Sequence, residues 1–64
     1  MILYFKVGTM SGMHMRVVRK RKLPVIGERF FIVDPKEKYG KHEPVRLLEI
    51  RNVGSQLLYV VERF

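Results

Sequence analysis

The chain contains no cysteine, which excludes a disulfide framework and any thiolate-ligated metal site, so a small core must hold the fold without covalent help. That fits a reducing, cytosolic setting. Long apolar runs are missing as well. Met1 to Phe5 and Leu57 to Val61 are the longest at five residues each, against the roughly 20 of a membrane span and the about 7 to 15 of a signal-peptide core. A soluble, unexported cytoplasmic protein without membrane contact is expected. Chemical motifs are equally scarce. His14 and His42 lie far apart without a paired acid at metal-ligand spacing, Ser11 and Ser55 sit in predicted turns without a nucleophile elbow, and there is neither a phosphate-binding loop nor a dinucleotide fingerprint. The expectation is no enzyme, no cofactor and no metal.

Acidic side chains are few: six, beside 13 Lys and Arg, for a net charge of +7. The imbalance is uneven. Residues 1 to 32 hold seven cations and one acid, whereas residues 33 to 64 hold six and five. A positive field concentrated in one half of a chain points to a polyanionic partner.

The 64 residues are 47% hydrophobic and 30% charged, the balance of a folded globular domain rather than a disordered one. They predict a single small β-barrel domain over residues 1–64. A chain this short buries only about 60% of its unfolded surface, so no deep active-site cleft is expected.

β-branched and aromatic residues mark a strand over residues 2–7, with Leu3, Phe5 and Val7 on one face. A loop over Thr9 to Gly12 leads into a second strand, where Met13, Met15 and Val17 alternate inward against His14 and Arg16. Alternation then fails at Arg19-Lys20-Arg21-Lys22. A straight strand would bury two of these cations, so the run must project past the core as a strand end or a loop.

Leu23 to Gly27 reads as a turn, and Glu28 to Val33 as a third strand, apolar on both faces from Phe30 and the most central of the set. Pro24 to Ile32 resembles the Pro-x-x-Gly-acidic lead into a central strand of SH3-like barrels, a likeness of nine residues that concerns architecture alone. Asp34 to Pro44, with two prolines, a glycine and six charged side chains, predicts a long exposed loop. Val45 to Arg51 and Gln56 to Glu62 predict two more strands, joined through Asn52 to Ser55. Five short strands and no room for crossover helices give an all-β fold: an antiparallel meander curled into an SH3-like or OB-like barrel.

Arg16, Arg19, Lys20, Arg21, Lys22 and Arg29 are the candidate phosphate contacts. In an extended ridge, Arg16, Lys20 and Lys22 would line one side, and Arg19 and Arg21 the other, at about 6.6 Å per pair of residues. Lys36, Lys38 and Lys41 of the long loop form a candidate second arm. Neutralising about four to six phosphates of duplex DNA would give a log–log salt slope near −4 to −5. The competing reading is a solvated stretch that keeps strand edges from pairing. Tyr4, Tyr39, Tyr59, Phe30 and Phe31 could present rings for stacking on bases; Phe5, Phe30, Tyr59 and Phe64 are expected in the core, and Tyr4 and Tyr39 are the candidates.

The expected function is a non-enzymatic module binding DNA or RNA with little sequence selectivity. The alternative is a small protein-interaction module or inhibitor, of the kind mobile elements encode. It would dock on an acidic partner or on a second copy through a basic or apolar strand surface. Leu47 with Leu48, and Leu57 with Leu58, point to the latter, because adjacent leucines on a strand cannot both face one small core.

Overall fold

Two residues from each of five strands, spaced two apart, build the core: Phe5 and Val7, Met15 and Val17, Phe30 and Ile32, Val45 and Leu47, Tyr59 and Val61. That spacing is the period of a strand with one face inward. The strands in this computed structural model are β1 (Ile2–Val7), β2 (Met10–Val18), β3 (Arg29–Val33), β4 (Glu43–Val53) and β5 (Gln56–Arg63). The structure describes residues 1–37 and 39–63, apart from the side chains of Met10 and Ser11. Lys38 and Phe64 therefore lie outside the described residues.

The strands close into a ring in sequence order, β1-β2-β3-β4-β5. Four seams are antiparallel. The fifth, β1 against β5, is parallel and sets Phe5 opposite Tyr59 and Val7 opposite Val61. An up-and-down meander with an odd number of strands must close on one parallel pair. The expected small all-β barrel is thus the observed fold, and each strand has a neighbour on both sides.

Two bulges shape it. Between the pairs Phe5–Met13 and Val7–Met10, β2 carries one residue more than β1, and Gly12 there adopts φ +79° with the Tyr4 hydroxyl close above it. The loop expected over Thr9 to Gly12 is therefore mostly strand: the turn shrinks to Gly8 and Thr9, and the glycine at its far side serves a bulge instead. Between the pairs Leu47–Val61 and Glu49–Val60, β4 carries an extra residue, Leu48. Leu47 is fully buried and Leu48 is 45% exposed, which resolves the adjacent leucines locally.

The strand boundaries differ from the sequence expectation in β4 as well, which starts at Glu43, includes Pro44 and runs to Val53. β3 is not buried on both faces. Phe30 and Ile32 face inward, whereas Phe31 is 50% exposed. Val33 is buried outside the core cluster, beneath the 34–40 loop, where its side chain meets Gly40. That loop is tied to itself, with Asp34 accepting from the Lys36 amide at 2.9 Å and from the Glu37 amide at 3.2 Å.

Candidate nucleic-acid interface

β2 ends at Val18 because Arg19 takes a left-handed backbone conformation, φ +56°. A left-handed residue ends strand alternation, so the basic run leaves the sheet as a loop. The extended ridge with alternate cations on two sides is not formed. Arg19, Arg21 and Lys22 are exposed, and Lys20 is partly covered.

Glu28 organises this loop. One carboxylate oxygen accepts from Lys20 Nζ at 2.6 Å, and the other from the Val25 amide at 3.0 Å. The Glu28 amide in turn donates to the Val25 carbonyl, and Gly27 and Glu28 bond the backbone of Leu47 on β4. Pro24 is buried and anchors the segment. The Lys20 ammonium, followed by the Val25 amide, holds the Glu28 carboxyl below its ordinary range. Lys20 is thus committed within the protein, whereas its three neighbours in the run, Arg19, Arg21 and Lys22, are exposed.

The ladder carries β3 past this loop. Val18 lies opposite Phe31, Phe31 opposite Pro44, and Arg29 opposite Arg46. A shallow groove of about 350 Å³ runs between loop and sheet, lined by Val18, Arg19, Lys20, Glu28, Arg29, Phe30 and Phe31. It gathers Arg19, Lys20 and Arg29. Arg16 lies farther along β2, exposed and opposite Val33.

The long-loop candidates are elsewhere, past the far end of β3. Tyr39, 89% exposed, and Lys41 line a second concavity of about 350 Å³ together with Asp34, Glu37, Glu43 and Arg63. Lys36 lies beside it, next to His14. The mixed signs there weaken any hold on phosphate. Lys38, the remaining member of that arm, is outside the described residues. Tyr4 is half-buried, its ring centroid 5.1 Å from that of His14, whose Nε2 accepts from the Gln56 amide at 3.1 Å. Among the described residues no group of three His, Asp or Glu is placed to hold a metal ion.

Carboxylates are used up mainly on the β4–β5 side. Glu62 holds Arg46, Glu49 holds Arg51 at 2.7 Å, and Glu43 faces Arg63 at 3.5 Å. Among the described residues no carboxylate pairs with Arg16, Arg19, Arg21 or Lys22. Phe31, one of the five rings the sequence offers for stacking, is the one that lines the groove, in place of the preferred Tyr4 and Tyr39. Strict alternation from an inward Phe30 would have exposed it, but four apolar residues in a row hide that alternation. Comparison with protein-family models, curated proteins and solved structures finds no match.

Proposed function

We propose that this chain is a non-enzymatic nucleic-acid-binding module that grips phosphates with the loop after β2 and the adjacent face of β3. The observation that carries the reading is that, among the described residues, no carboxylate opposes Arg16, Arg19, Arg21 or Lys22, whereas the cations of the β4–β5 side are matched by carboxylates. Unpaired guanidinium and ammonium groups release condensed counterions when they meet a polyanion, and that release drives association. Arg29, Lys20 and Arg16 flank the contact. Lys36, Lys41 and Tyr39 are secondary, for their surroundings include Asp34 and Glu37. Phosphate contacts position a protein without reading bases, so selectivity is weak.

The test is binding of labelled DNA and RNA across a salt series, comparing the natural chain with a variant carrying Arg19→Ala, Arg21→Ala and Lys22→Ala. Loss of three phosphate contacts should flatten the log–log slope by about 2 to 3. Unchanged affinity and slope would remove the assignment.

One observation favours a second reading, a protein-interaction module. Leu23, Val25 and Ile26 are 56%, 63% and 64% exposed. Leu48, half exposed, follows the residue whose backbone bonds Gly27. An apolar patch beside a basic run suits an acidic partner with an apolar centre, and its complex would survive high salt where charge-driven adhesion would not.

A further inference from the structure

We infer that the groove beside Phe31 takes an unpaired base, so that single-stranded nucleic acid is the preferred ligand and Phe31 its stacking platform. This rests on the phosphate-binding reading above and narrows it. A phenylalanine 50% exposed on the outer face of the barrel leaves apolar ring surface in water, and this one shares its groove with Arg19, Lys20 and Arg29. Arg29 is two residues earlier on the same face of β3, hence about 6.6 Å away. Arg46, held by Glu62, lies directly across from Arg29, and Arg19 lines the groove with the ring. The ring's cross-strand neighbours, Val18 and Pro44, carry no charge.

A ring flanked by cations reproduces what sequence-tolerant single-strand binders use: a face on which any base stacks, with positive groups along the backbone. In a duplex the base faces already cover one another, so only an unpaired base gains from the ring. Tyr39, more exposed, shares its concavity with Asp34, Glu37 and Glu43, whereas the one acid lining the Phe31 groove, Glu28, is bonded to Lys20.

The experiment measures affinity for an oligothymidine single strand, an oligouridine strand and a DNA duplex of equal length. The proteins are the natural chain, Phe31→Ala, Phe31→Leu, Phe31→Tyr and the Arg19, Arg21, Lys22 triple alanine variant. The natural chain should prefer the single strands. Phe31→Ala and Phe31→Leu should each weaken single-strand binding roughly 5- to 100-fold while duplex affinity changes less than about two-fold, and Phe31→Tyr should retain the preference. Phe31→Leu keeps an apolar side chain on the strand, so its folding is secure, and unchanged melting confirms it.

If the Phe31 variants leave the single-strand to duplex ratio unaltered while the triple variant loses both ligands, the stacking platform is wrong and the phosphate reading stands. Tight salt-resistant capture of an acidic protein with no measurable binding of any oligonucleotide would overturn both.

Discussion

Glu28 shows how one side chain can settle the shape of a binding loop. Its carboxylate accepts from Lys20 and from the Val25 amide, and its own backbone amide donates to the Val25 carbonyl, closing the loop that carries Arg19, Arg21 and Lys22. Because its pKa lies below the ordinary carboxylate value in the folded state, the folded protein binds fewer protons there than the unfolded chain. The resulting stabilisation is present above the ordinary value and disappears as pH falls through the depressed one. Glu28→Gln should therefore melt at a lower temperature than the natural chain at neutral pH, with the gap closing below the carboxylate range. An equal gap at both ends of a pH series of melting curves would contradict this. Arg19 carries a different cost. Its left-handed backbone is strained for any residue with a Cβ, so Arg19→Gly should raise stability by up to about 1 kcal/mol in urea unfolding, even as it weakens oligonucleotide binding.

At the scale of the element, the bulge in β4 decides which of two leucines holds the barrel together. Leu47 fills the core with no exposed surface, and its backbone also carries the bonds to Gly27 and Glu28. Leu47→Ala should cost about 2 to 5 kcal/mol, whereas Leu48→Ala should stay within about 0.5 kcal/mol. Comparable losses for both in urea unfolding would place the extra residue elsewhere. Gly12 in β2 is the counterpart. At φ +79° an alanine is strained, and the Tyr4 hydroxyl must also move, so Gly12→Ala should destabilise by about 1 to 2 kcal/mol. A neutral result in thermal melting would argue against a left-handed residue there.

For the whole molecule, closure of the ring gives each described strand a neighbour on both sides, with three residue pairs at each of the β1–β5 and β2–β3 seams, so that only short edges remain for strand addition by a second chain. The apolar loop Leu23 to Ile26 and Leu48 are then the surface through which self-association would proceed. Sedimentation equilibrium should give the 7.6 kDa monomer. A concentration-dependent rise in mass that Ile26→Glu abolishes would instead establish that loop as an interface and favour the protein-docking reading. The charge distribution is also a property of the whole, because the carboxylates of β4 and β5 pair with arginines of the same two strands and, among the described residues, none reaches Arg16, Arg19, Arg21 or Lys22.

Strand number, order and the inward set Phe5, Val7, Met15, Val17 were legible in the sequence, because strand periodicity and turn residues are local properties that each short segment expresses alone. So was the crowding of cations in the early half. Three features were not: the bulge at Leu48, the exposure of Phe31 and the pairing of Lys20 with Glu28. The bulge depends on which residues of β5 lie opposite, a register decided only when the ring closes around its core. The Lys20–Glu28 pair depends on how the loop between β2 and β3 folds back on itself, and an unbroken apolar run hides the alternation that exposes Phe31.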